Sequence, residues 1–133
     1  MNNLKYARGP REKILACLGA RDFRALFMEG GCQFYALVLN EQLGLPLFYA
    51  APPHRDSQSH VFAMKGDTCL DYDGKKPIAE VAKRYSGWAD ESPRPVTPEQ
   101  VRDDLKRRGI DDLEEIVLPV ARDEFECRRT IYD

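Results

Sequence analysis

Cys32 is the residue of this sequence whose type and position best suit covalent chemistry. It follows Gly30-Gly31 and opens the apolar run Cys32-Gln33-Phe34-Tyr35-Ala36-Leu37-Val38-Leu39, which reads as a helix. A thiol at a helix start faces unpaired backbone N–H groups and the positive end of the helix dipole. Both favour the thiolate, which is the nucleophilic form. His60 and then Asp71 follow in the chain, each beside a strand-like segment. An imidazole next to a thiol can take its proton and pass it to a leaving group. A carboxylate behind the imidazole fixes its tautomer and orientation. Gly30-Gly31 lets a substrate backbone approach the sulfur closely.

These residues need elements that bring them together. Cys32, Tyr35, Ala36, Leu39 and Leu43 follow helical spacing, while Phe34, Leu37 and Val38 make the other faces apolar too. A helix apolar nearly all round is buried at the centre of its domain. Gly44 ends it and Pro46 prevents its return. Upstream, Pro10 and Gly19 bracket one helix, and Asp22 caps a second that carries Phe23, Leu26 and Phe27. Leu47-Phe48-Tyr49-Ala50 reads as a short buried strand. His60–Met64 and Thr68–Tyr72 read as two strands of a hairpin turning at Gly66-Asp67. A two-residue turn sets Lys65 opposite Thr68 and His60 opposite Asp73, with Asp71 one diagonal step away on the same face. The carboxylate of Asp71 or Asp73 can therefore orient His60, and a three-residue turn would undo the pairing.

Downstream, Asp73-Gly74 closes the hairpin unit and Ile78–Trp88 reads as a helix. Residues 90–98 form a Pro-rich loop. Thr97-Pro98-Glu99-Gln100 carries a capping box with Pro at the first turn, starting a helix that runs to Gly109. Glu115–Val120 reads as a strand, with Pro119 placing it at an edge. Phe125–Tyr132 fits either a strand or a helix. The expected fold is α+β in a single domain over 1–133: N-terminal helices and a central buried Cys32 helix packed on a small antiparallel sheet. Residues 1–9 are expected to be a loosely ordered leader.

The composition excludes several function classes. Twenty Lys and Arg against 22 Asp and Glu give a net charge of -2, so no long-range field draws nucleic acid or an anionic membrane. The first residues lack the apolar core of a secretory signal, and no stretch is long and apolar enough to span a bilayer. The expected location is the cytoplasm, where the four cysteines at 17, 32, 69 and 127 are reduced. Their spacing contains no CxxC pair and matches no recurrent zinc pattern, so neither a metal nor another cofactor is expected. Cys17, Cys69 and Cys127 read as structural, and His54, after Pro52-Pro53, as a solvated loop residue.

The segments Gly30-Gly31-Cys32-Gln33-Phe34-Tyr35-Ala36-Leu37, Ser59-His60-Val61-Phe62 and Cys69-Leu70-Asp71-Tyr72-Asp73-Gly74 together resemble the papain-like cysteine hydrolase superfamily, in particular its small bacterial and phage members. The likeness covers residues 30–77. It implies Cys32 as nucleophile, His60 as base and Asp71 as orienter, with Asp73 the alternative. It also implies a protein or peptide-like substrate. Relatives of that fold include proteases, deamidases, transglutaminases and acyltransferases, and the fold does not choose among them. One position departs from the pattern. Papain-like proteases place a Gln shortly before the Cys to bind the oxyanion, whereas Leu26-Phe27-Met28-Glu29 stand there in this chain. Loss of one such donor costs about 10²–10³ in rate. Gly31, Gln33 and Gln58 are the nearby candidates for oxyanion or substrate contacts. The departure also motivates an alternative reading: a non-catalytic binding or regulatory protein, phage-encoded, on the same scaffold. The sequence does not specify an oligomeric state.

Overall fold

The computed structural model describes residues 15, 20–29, 31–50, 60–84, 93–109 and 114–133. The helix expected between Pro10 and Gly19 therefore lies outside the described residues except for Leu15, which is helical and buried. The leader, the loop around His54 and Gln58, and the end of the expected Ile78–Trp88 helix also lie outside them.

Helix α1 spans Phe23–Glu29 and starts where Asp22 accepts the Ala25 N–H at 2.7 Å. A side-chain oxygen before the first turn satisfies one of the donors a helix leaves unpaired. Helix α2 spans Cys32–Leu43, and its residues Cys32 to Leu39 are all buried. Gly44 ends it at φ 68°, with its N–H on the Asn40 carbonyl. Only glycine adopts that left-handed cap without steric cost.

Among the described residues, five strands form one antiparallel sheet in the order β4-β3-β2-β1-β5. They are β1 (Leu47–Ala50), β2 (His60–Lys65), β3 (Thr68–Asp71), β4 (Gly74–Pro77) and β5 (Arg94–Val96). Strands β2 and β3 pair Lys65 with Thr68 and Ala63 with Leu70, so the turn is the two-residue Gly66-Asp67, with Gly66 at φ 63°. The register expected from the sequence is the register observed. Residues alternate across the sheet: Leu47, Val61, Ala63, Leu70 and Val96 join the main core, while Ala50, Phe62, Met64 and Cys69 face a second cluster with Val81. Helix α2 lies on the main-core face, with α1 and the two C-terminal helices around it. The second cluster includes Ile78 and Val81 of α3 (Ile78–Arg84). The result is a mixed α+β fold with a small antiparallel sheet and a buried cysteine-bearing helix against it.

Three expectations fail, each for a physical reason. Residues 115–120 are not a strand but the start of α5, Glu114–Arg128. Val117, Val120, Ala121, Glu124 and Phe125 are buried at helical spacing, and that stripe emerges only beyond the six residues 115–120. Pro119 removes one helix donor without ending the helix. The Phe125–Tyr132 alternatives resolve to the end of α5 followed by a 3₁₀ turn, Arg129–Tyr132. The Pro-rich loop at 90–98 contains strand β5, which pairs Leu47 with Val96 and Phe48 with Pro95 at the sheet edge, where proline is tolerated. Asp73-Gly74 does not close the unit: Gly74 starts β4, paired through its backbone although Gly-Lys-Lys-Pro lacks strand-forming side chains.

Helix α4 (Pro98–Arg107) has the capping box expected of it. Thr97 accepts the Gln100 N–H at 3.1 Å and Gln100 accepts the Thr97 N–H at 2.9 Å. That start fixes the helix rotation that turns Val101, Asp104 and Leu105 inward.

Candidate active site

The fold joins the N-terminus of α2 to the open end of the β2–β3 hairpin. Cys32 is the first residue of α2, His60 the first of β2 and Asp71 the last of β3. His60 Nε2 lies 3.2 Å from Asp71 Oδ2. The Val61 N–H points at Cys32 Sγ from 3.4 Å. Cys32 is 4% exposed, His60 0% and Asp71 4%, so the cluster is enclosed rather than set in an open cleft.

The carboxylate at the His60 ring is that of Asp71, not Asp73. Continuing the hairpin register sets His60 level with Asp73, but Asp73 lies in the turn between β3 and β4. Its carboxylate takes two bonds from Arg24, both 2.7 Å, and one from Lys76 at 3.1 Å. Asp71 is fixed at several points. Its Oδ1 accepts the Asp73 N–H at 2.9 Å and lies 3.7 Å from Lys76 Nζ. Its backbone carbonyl accepts the Tyr132 hydroxyl at 2.7 Å. Tyr132 spends its one proton there, so the 2.7 Å contact between Tyr35 and Tyr132 has Tyr35 as donor. Burial pushes the Tyr35 hydroxyl up to about 12 and Tyr132 higher still, which keeps both protonated.

Burial alone would lower the His60 pKa. The hydrogen bond to Asp71 and the adjoining Cys32 outweigh it and push His60 up to about 9. Because Asp71 is an acceptor, Nε2 carries a proton, and the Cys32 thiol adjoins the ring. The sulfur therefore sits against a backbone donor on one side and an imidazole that holds its proton strongly on another. An imidazole beside a thiol can take its proton and pass it on. Cys69 lies on the same side of β3 as Asp71, and burial, then the Asp71 charge, push its thiol up to about 11.

The candidate oxyanion contacts diverge. The Gly31 N–H is taken by the Leu26 carbonyl at 2.7 Å, and the Gly31 carbonyl accepts from Phe34 at 3.1 Å. Gly31 serves close packing: a Cβ there would lie 2.7 Å from the Leu26 oxygen. Gly31→Ala is expected to lower stability by about 1–3 kcal/mol, the usual cost of overpacking. Urea denaturation checks it, and an unchanged midpoint would contradict the close approach. Gln33 is buried, with Oε1 3.5 Å from Cys32 Sγ and Nε2 3.3 Å from Asp104 Oδ2. Gln58 and Gly30 lie outside the described residues. By helix geometry, the N–H groups of Cys32 and Gln33 belong to the first turn of α2, where intrahelical acceptors are lacking.

Two contributors escaped the sequence reading. Asp104 had a usable signal: it falls three residues after Val101 and beside Leu105, a charge on the apolar stripe of α4. Tyr132 gave none, because its contact to Asp71 joins residues 61 apart. Among the described residues no group of His, Cys, Asp and Glu is arranged to hold a metal. No described helix is long and apolar enough to cross a membrane. A pocket of about 440 Å³ lies at the β5 side of the sheet, lined by Asn40, Leu47, Val96 and Gln100 among others, and none of the three site residues lines it. No protein-family model, curated protein or solved structure matches this chain.

Proposed function

We propose that the protein is a cysteine-dependent hydrolase or acyl transferase of papain-like type, acting on a protein or peptide-like acyl group through Cys32, His60 and Asp71. The observation that carries this reading is the convergence of the three residues: His60 Nε2 lies 3.2 Å from Asp71 Oδ2, and the N–H of Val61, next to His60, meets the Cys32 sulfur at 3.4 Å. In the reaction Cys32 gives its thiol proton to His60, its sulfur attacks the acyl carbon, and the carbonyl electrons move to oxygen. The Cys32 and Gln33 N–H groups at the α2 start are the donors for that oxyanion. Collapse breaks the bond to the leaving group, which takes the proton from His60. Water or an acceptor amine then gives its proton to His60 and attacks the thioester, releasing the acyl group and restoring the thiol. Asp71 keeps Nε2 protonated throughout and holds the ring in place.

A small activated ester tests this. Incubation with p-nitrophenyl acetate is expected to add about 42 Da, one acetyl group, to Cys32 before deacylation. Peptide mapping locates the adduct. Acetylation confined to the exposed Cys127 would contradict the proposal.

The burial of all three residues favours one competing reading, a non-catalytic binding protein on the same scaffold. That reading predicts no acyl adduct on Cys32, and it predicts that Cys32→Ala leaves partner capture intact.

A further inference from the structure

The proposed nucleophile touches a second buried polar chain, one that the acyl-transfer reading does not use. Gln33 is 1% exposed and its amide lies between Cys32 and Asp104. Asp104 is also 1% exposed, although it is charged and sits on a helix at the edge of the core. Two guanidinium groups hold it: Arg107 Nη2 at 2.8 Å on Oδ1 and Arg108 Nε at 2.8 Å on Oδ2. A buried acid is tolerated when it is paired and hydrogen-bonded in this way.

That pairing dictates which way the Gln33 amide faces. An ionised carboxylate only accepts, so Gln33 must turn its NH₂ toward Asp104 and its carbonyl oxygen toward the sulfur. A carbonyl oxygen can accept a proton from a thiol, but it has nothing to donate to a thiolate. Two other groups facing the sulfur, the Val61 N–H and the His60 ring, act the other way. Both meet the sulfur from β2, with Asp71 and Lys76 behind His60.

We infer that Gln33 is a positioning residue for Cys32, and that Asp104, clamped by Arg107 and Arg108, holds the Gln33 carbonyl on the sulfur and so restrains the thiolate in the resting protein. The inference rests on Cys32 being the nucleophile. It assigns α4 a role beyond packing, because the charge at position 104 sets the face of the amide that the sulfur meets. Turning the amide over gives the sulfur a second donor and requires a donor at position 104.

Asp104→Asn supplies that donor once the part-exposed Arg108 swings off the Oδ2 position, since an amide nitrogen there can give a hydrogen bond to Gln33 Oε1. Iodoacetamide labelling resolved by peptide is the test, with Cys127 as exposed control and Cys69 as buried control. At pH 6 the Cys32 rate of Asp104→Asn is expected to rise about tenfold over the unaltered protein, the worth of one hydrogen bond to a charged group. The gain should shrink as pH rises toward 9. Gln33→Met, which removes the carbonyl at similar volume, should give a gain of the same sign, and it replaces Asp104→Asn if that variant does not fold. Simple loosening of the core predicts a gain at every pH, shared with Cys69. That result, or an unchanged or slower Cys32 rate at pH 6 in a folded variant, overturns the inference. The outcome separates from the acyl-transfer reading. A labelling response without ester turnover by the unaltered protein would remove the enzyme and keep the positioning role. Turnover without the response would do the reverse.

Discussion

Cys32→Ala is expected to abolish turnover of p-nitrophenyl acetate, and His60→Ala to lower it by about 10²–10⁴. Asp71→Asn should fall in the same range, for a reason specific to the geometry. An amide at 71 can donate to Nε2, which stabilises the ring tautomer protonated on Nδ1. That tautomer presents a donor to the sulfur and cannot take its proton. The three losses should not add, because residues acting as a unit fail together. Asp73→Asn is the contrasting change. Asp73 bonds to Arg24 and Lys76 rather than to His60, so this variant should retain most of its turnover. Steady-state kinetics on the four variants, each checked for fold by circular dichroism, provides the measurement. Equal effects at 71 and 73 would contradict the assignment of the orienting acid.

The second large effect is on stability. In the folded chain His60 is pushed from 6.5 to about 9, because its bonds to Asp71 and Cys32 outweigh burial. A group whose folded pKa is raised contributes stability that is complete below its unfolded pKa and lost as pH climbs through the folded one. Between pH 6.5 and about 9 the folded state binds more protons than the unfolded, so stability must fall across that window. The slope approaches about 1.4 kcal/mol per pH unit for one proton. Cys69, pushed up to about 11 by burial, adds a further loss of the same sign above pH 9. Urea midpoints measured in reducing buffer from pH 6 to 9 should decline, and Asp71→Asn should flatten the decline while lowering the midpoint overall. A flat profile in the unaltered protein would contradict the buried, proton-holding His60.

The site was more legible in the sequence than the outer parts of the fold. Cys32 and His60 lie at strong local signals, Gly30-Gly31 before an apolar helix and a strand head, and Asp71 lies four residues past the Gly66-Asp67 turn that sets the hairpin. Local signals of this kind determine register, and register places Asp71 near His60. It could not choose Asp71 over Asp73, because the choice depends on Arg24, which arrives from α1, 49 residues upstream. Strands β4 and β5 were hidden for a related reason. Gly-Lys-Lys-Pro and Arg-Pro-Val become strands by pairing with neighbours, not by their own propensity. Helix α5 was misread because six residues around Pro119 fit both periods, and only the span to Phe125 distinguishes them. The Gln33–Asp104 contact joins residues 71 apart, and its only sequence trace is a charge on an apolar stripe.

The catalytic expectations depend on Cys32 being a thiol activated by His60. Its labelling by iodoacetamide at pH 6, compared with Cys127 in the same molecule, tests that most directly. An activated sulfur labels faster than the exposed Cys127 despite its own burial, and it loses that advantage in His60→Ala. A Cys32 that labels more slowly than Cys127 at pH 6, with or without His60, would contradict the account.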